Sequence, residues 1–282
     1  MTAADPRAGD AEETPYTSPL AYPGTTPSSS GLVVGPRYRE IPWAAVDAEL
    51  ARLQVAPLVH RTPVVAVGSN AAPAQLRAKL APAGRSARDP LVVPMAYVEL
   101  HGLAAGVSAH VSRPGYVPAT PVPTDGEMGH AFVVWLDPVQ LAAVDRTEPS
   151  YDRVRLPEAF GVLEAVGGAP FDGCDVYVSR HGCLLDTHGR PRRLVAQRAL
   201  LQALLDESEQ LRGIAGECPE SWVTAMRDRQ ARAGAQAIWR SEGRVRESSG
   251  ALTTPRRSRR NKAPPGNRLT VRPGDQSPSP LS

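Results

Sequence analysis

The chain has 282 residues, 41% of them hydrophobic and 22% charged, and a formal net charge of +3. That composition suits a soluble domain with a real core, and no run approaches the roughly 18 consecutive apolar residues that cross a bilayer. The charge is unevenly placed: residues 1–36 hold Asp5, Asp10, Glu12 and Glu13 against Arg7, or −3, whereas Arg240 onward holds ten basic and three acidic residues, or +7, leaving the middle near −1.

The first residues, "MTAADPRAGDAEETPY", are acidic and lack the apolar stretch of a secretory signal. Cys174, Cys183 and Cys218 are odd in number in a chain long enough to need no staples, so they read as reduced thiols of a cytoplasmic protein. Residues 1–37 include "TPYTSPLAYPGTTPSSSG" and are expected to be disordered, because Pro, Ser, Thr and Gly bury too little surface to offset ordering entropy. The same reasoning assigns residues 241–282 to a disordered, basic, Pro-rich tail and leaves 38–240 as the folded body. Removing both tails is expected to change stability little.

Within the body, "PWAAVDAELARLQ" places Val46, Leu50 and Leu53 on one helical face, with Pro42 in the first turn. "PVVAVGS" is a short apolar strand that stops on Gly68-Ser69-Asn70, and "APAQLRAKL" after it has a helical pattern. "LVVPMAYVEL", "GVSAHVS", "YVPATPVPT" and "GHAFVVWL" read as separate strands with turn residues between them. Asp137-Pro138 then opens the helix "DPVQLAAVDRTE", with Asp137 as N-cap, Pro138 at the first position and Gln140 at the third. "YDRVRL", "FGVLEAV" and "CDVYVS" are further short strands. Two helical stretches close the body, "PRRLVAQRALLQALLDESEQL" and "PESWVTAMRDRQARAGAQAIW". Strand-loop-strand links dominate, so the expected class is α+β, a small mixed or antiparallel β-barrel with packed helices.

Leu141, Val144 and Glu148 are spaced +3 and +4 and share a helix face. The first two make it the buried face, which points the Glu148 carboxylate inward at the helix C-terminus. Burial and the negative helix end both disfavour its charge, and a carboxylate so placed suits general acid–base work near neutral pH. The alternative is that the helix frays after Asp145 and leaves Glu148 as a solvated turn residue before Pro149.

"AVGSN" at the end of a strand, followed some 75 residues later by "LAAVDRTEPSYDRVRL", resembles the gamma-glutamylcyclotransferase-like family. That family carries a Tyr-Gly-Ser-Asn turn after its first strand, and later a Leu-Asp-x-x-Glu motif with a Tyr-x-Arg-x-Val strand. Here the second motif reads Val144-Asp145-Arg146-Thr147-Glu148, then Tyr151-Asp152-Arg153-Val154. The resemblance covers about Pro63 to Ser179 and extends weakly toward residue 230. It implies an enzyme that needs no metal or organic cofactor and cleaves a gamma-glutamyl amide by internal attack of the substrate's alpha-amine, releasing 5-oxoproline. It also implies that Glu148 is the general acid/base and that Val67, Gly68, Ser69 and Asn70 form the substrate-binding turn, with its backbone N–H groups on a carbonyl or carboxylate oxygen. The family usually has tyrosine where this chain has Val67, so the phenol's hydrogen bond and packing are expected to be lost, which bears on the substrate class first and on activity second. Replacing Glu148 by Gln is expected to leave the fold as stable as before, because an amide is easier to bury than a carboxylate.

A non-catalytic relative that binds a small metabolite, or an adaptor acting through its basic tail, is the second reading. Cys174, His181, Cys183 and His188 lie close in sequence, but their spacing fits no standard zinc site. His101 and His110 alternate with apolar residues and read as ordinary strand histidines, and Trp135 and Trp222 as core. "PRRSRRNK" could touch nucleic acid through its charge alone. No membrane partner is expected.

Overall fold

The structure, a computed structural model, describes residues 14–81, 91–157, 160–164 and 173–247, and Leu252. Strands β1 (Gly31–Val34) and β2 (Arg37–Glu40) form a hairpin, with Gly35 at φ +54 in its turn. Helix α1 (Val46–Arg52), strand β3 (Thr62–Ala66) and helix α2 (Pro73–Leu80) follow. Two long strands come next, β4 (Val92–Val107) and β5 (Ala119–Leu136), and then helix α3 (Pro138–Thr147). Strands β6 (Tyr151–Arg155), β7 (Gly161–Glu164), β8 (Asp175–Ser179) and β9 (Cys183–Leu184) precede α4 (Gln197–Glu207), α5 (Glu209–Ala215), α6 (Pro219–Ala225), α7 (Arg229–Ser241) and β10 (Val245–Arg246).

The class is α+β. The main sheet runs β2-β1-β4-β5-β3-β8-β6, with β7 also on β4, and β9 pairs with β10 in a separate ribbon. Its pairings are antiparallel except β3 with β8. Among the described residues the sheet is open and does not close into the expected barrel. Its two end strands explain this: β2 carries Arg37, Arg39 and Glu40, and β6 carries Asp152, Arg153 and Arg155, and charged edges of this kind resist further pairing.

The four expected central strands are two. The turn glycines are absorbed within the ladder: Gly102, at φ +73, sits at a register shift between His101 and Leu103, and Gly126, at φ +78, lies inside β5. Alternation then sorts the faces. Val64 and Ala66 join Met95, Phe132 and Val134 under Leu76, Leu80, Ala143 and Val144 of α2 and α3. Val65 joins Val98, Val133, Trp135 and Val176 on the other face. Trp222 and Trp239 centre a helical cluster built on α4 to α7. Each expected C-terminal helix is broken in two by a new cap: the Ser208 side chain accepts from the Leu211 N–H and the Asp228 side chain from the Ala231 N–H.

Residues 14–37, expected to be disordered, are part of the fold. Leu32 and Val33 are fully buried in β1, between β2 and β4, and Tyr22 is 4% exposed. The body also extends past residue 240, since β10 pairs with β9 and Leu252 is buried in the same hydrophobic cluster as Val154 and Val176. The rest of the tail, including "PRRSRRNK", lies outside the described residues. No helix among the described residues is long and apolar enough to cross a membrane.

Candidate active site

The site lies where β3 ends. Apolar alternation carries β3 between β5 and β8 as far as Ala66, and the chain then leaves the sheet through Gly68 into a 3-10 turn over Ser69–Ala71. α3 begins far away in sequence. It opens on a capping box, in which the Asp137 side chain accepts from the Gln140 N–H and the Gln140 side chain from the Asp137 N–H. Ten residues later it ends at Thr147, with Glu148 just outside as C-cap. Asp145 fixes that end. It accepts two bonds from Arg153 of β6, at 2.8 and 3.1 Å, and one from the Tyr177 hydroxyl of β8 at 2.7 Å.

These two segments meet. The Asn70 Nδ2 donates to Glu148 Oε1 at 3.1 Å across 78 residues of sequence. Lys79, on α2, donates from Nζ to the same Oε1 at 2.5 Å and to Asn70 Oδ1 at 2.7 Å. The Lys79 and Glu148 side chains are 7% and 13% exposed. Glu148 is thus turned inward although it lies just past the helix, with non-helical dihedrals, and it is not a solvated turn residue. The ammonium was not expected, and it offsets the cost of burying the carboxylate. Both bonds fall on Oε1, so Oε2 has no partner among the described residues.

A cavity of about 490 Å³ opens beside this triad and is lined by Val67, Gly68, Ser69, Asn70, Lys79 and Glu148 together. Every residue singled out for the site therefore borders one space. Tyr22, Tyr116, Tyr151 and Tyr177 line it as well, and burial pushes all four phenols well above their usual range, so they stay neutral.

Two details correct the expected turn. Val67 packs against the cluster of Tyr22, Tyr116 and Ala119, so a phenol does stand at the turn, contributed by another segment. Gly68 is required by the Tyr22 side chain: a Cβ there would lie 2.6 Å from the Tyr22 hydroxyl and 2.9 Å from Ala119 Cβ.

His110 follows β4 rather than sitting in a strand, and it lines the cavity. It is 7% exposed. Burial first, then the neighbouring His181, pulls it down from 6.5 to about 3. Its Nδ1 lies 2.6 Å from Ser108 Oγ, whose hydrogen goes to Ser179 Oγ at 2.7 Å, so the neutral ring carries its proton on Nδ1. Between pH 6.5 and 3 the unfolded chain binds a proton here that the native state refuses. Stability should therefore fall as pH drops through that window, by up to about 1.4 kcal/mol per pH unit. Urea midpoints measured against pH should show a shallower acid slope in His110→Gln; an unchanged slope would remove His110 as the cause.

Lys79 gives a second expectation. Lys79→Met strands a buried carboxylate, which costs about 3 kcal/mol, the low end of the range for such a loss because the cavity admits water. Adding Glu148→Gln should restore most of it. A single variant within experimental error of the parent would show that the pair contributes nothing.

Cys174 and Cys183 are buried and Cys218 is exposed, and among the described residues no group of His, Cys, Asp and Glu is arranged to hold a metal ion. No family model and no curated protein matches the chain. Among solved structures it is similar to a solution structure of an Arabidopsis thaliana protein, at 18% identity over 42% of this chain and 62% of that one, with a TM-score of 0.31. A likeness of that size carries no argument about fold or activity.

Proposed function

We propose that the chain is a cofactor-independent cyclotransferase that releases 5-oxoproline from a gamma-glutamyl amide, with a gamma-glutamylcyclotransferase-like domain as its catalytic body. The observation that carries this reading is the bond between Asn70 and Glu148, which joins the two motifs of the resemblance at the edge of one cavity. Oε2 of Glu148 is the atom suited to proton transfer, and Lys79 and Asn70 hold Oε1 and keep the carboxylate oriented. The substrate's alpha-nitrogen attacks its own gamma-carbonyl carbon. A ring C–N bond forms, the amide C–N bond breaks, and the protons shed by the alpha-ammonium pass through Glu148 to the leaving nitrogen. Arg113 and Arg146 are exposed at the same cavity and suit the substrate's carboxylate.

The Lys79 contact also favours the second reading, a binding protein in which the carboxylate is held only as an ion-pair partner. A mass-spectrometric screen of gamma-glutamyl dipeptides, gamma-glutamylamines and glutathione separates the two. 5-Oxoproline above the uncatalysed background supports the enzyme. Saturable binding with no 5-oxoproline from any compound supports the binding protein.

A further inference from the structure

Tyr22 comes from a segment rich in Pro, Ser and Thr, far in sequence from either motif. Its ring stacks on Tyr116 with centroids 4.5 Å apart and planes at 13°, against Ala119 and Val67. Its oxygen accepts the Ala119 N–H at 2.7 Å. A phenol oxygen that accepts one amide hydrogen still has its own hydrogen to donate. That hydrogen has no acceptor among the described residues. Two neighbouring phenols differ: Tyr151 donates to the Ala119 carbonyl at 2.8 Å and Tyr177 to Asp145 at 2.7 Å, whereas Tyr116, which also donates to nothing among the described residues, accepts no amide. Tyr22 is thus a buried, neutral hydroxyl at the cavity wall, polarised by the Ala119 amide and with its hydrogen unspent.

We propose that Tyr22 is a catalytic residue whose hydroxyl donates a hydrogen bond to the gamma-carbonyl oxygen as the alpha-nitrogen attacks. This assignment rests on the cyclotransferase reading. As the C–N bond forms, the carbonyl π pair moves to the oxygen, and the Tyr22 hydrogen bond strengthens on the oxyanion without transfer of its proton. The pair returns when the tetrahedral intermediate expels the leaving nitrogen, which takes its proton from Glu148. Preorganised donors aimed at developing charge are among the strongest contributors to catalysis. The N-terminal segment is then part of the active site.

Tyr22→Phe keeps the ring, its stacking and its packing while removing the hydroxyl, both its hydrogen and the oxygen that accepts the Ala119 N–H. With a gamma-glutamyl dipeptide turned over by the parent, kcat should fall about 10²–10³-fold, while KM changes only a few-fold and the melting temperature falls by a few degrees, because the buried Ala119 N–H loses its acceptor. In isotope-edited infrared spectra of bound 5-oxoproline carrying 13C at its lactam carbonyl, the carbonyl band should lie higher in the variant than in the parent. Parental kcat in a folded Tyr22→Phe protein would overturn the assignment and leave the cyclotransferase reading standing. Absence of 5-oxoproline from the parent across the whole panel would overturn that reading, and the assignment with it. If the variant does not fold, the parent alone decides: its bound carbonyl band must lie below that of 5-oxoproline in an aprotic solvent, and a band at the aprotic position overturns the proposal.

Discussion

A chain that begins at residue 37 is expected to lose cooperative folding, whereas one that begins at residue 14 keeps every contact described above and should melt with the parent. The longer deletion removes Leu32 and Val33, both fully buried, and Tyr22, 4% exposed. Each such side chain contributes about 1.5–3 kcal/mol on burial, or roughly 5–9 kcal/mol for the three. The whole stability of a domain is about 5–15 kcal/mol. The loss also spreads. β2 is left without its partner, β4 gains an open edge along Val92–Met95, and Val46 and Leu50 of α1 lose Leu32 from their cluster. Thermal unfolding followed by circular dichroism compares the two truncations. Equal melting temperatures would show that β1 is dispensable and that the sheet begins at β4.

The segment was illegible in sequence for a specific reason. "GLVV" is an apolar run of four residues, but it sits between stretches rich in Pro, Ser and Gly, and averaged composition hides it. Tyr22 is harder still. Its partner Ala119 is 97 residues away, and no local periodicity marks a side chain whose role is set by tertiary contact. What was legible was local: the Asp137 cap and an apolar strand that ends before Gly68, whereas the inward turn of Glu148 stood beside a solvated alternative, because helical spacing from Leu141 and Val144 holds only inside the helix and Glu148 lies just past its end. Lys79 falls between these cases. Only two of the 32 basic residues are lysine, Lys79 and Lys262, so a lysine within a largely buried helix was itself an unread signal. The open sheet follows from charges on β2 and β6, whose neighbours could not be known until the strand order was.

Glu148→Gln should lower the rate of 5-oxoproline release by about 10²–10⁴-fold, the usual loss when a general acid–base group is removed. Its effect on stability differs from the sequence-based expectation. A glutamine oxygen can still accept from Lys79 and Asn70, but the Lys79 ammonium loses its counter-charge. A charge-assisted bond is replaced by a weaker one, at a cost of about 1–2 kcal/mol. The variant should therefore be folded, slightly less stable than the parent, and able to bind substrate. Asp145→Asn acts on the support of α3 through Arg153 and Tyr177, and should lower the rate far less. Turnover by Glu148→Gln at the parental rate would remove Glu148 from the chemistry.

The central claim is that the substrate's own nitrogen attacks, and one incubation tests it: a gamma-glutamyl dipeptide with the full chain in 18O-enriched water, followed by mass spectrometry of the products. Internal attack uses no water, so the account predicts unlabelled 5-oxoproline together with the free amino acid. Glutamate carrying 18O in its gamma-carboxylate would mean that water is the nucleophile, and would contradict the account.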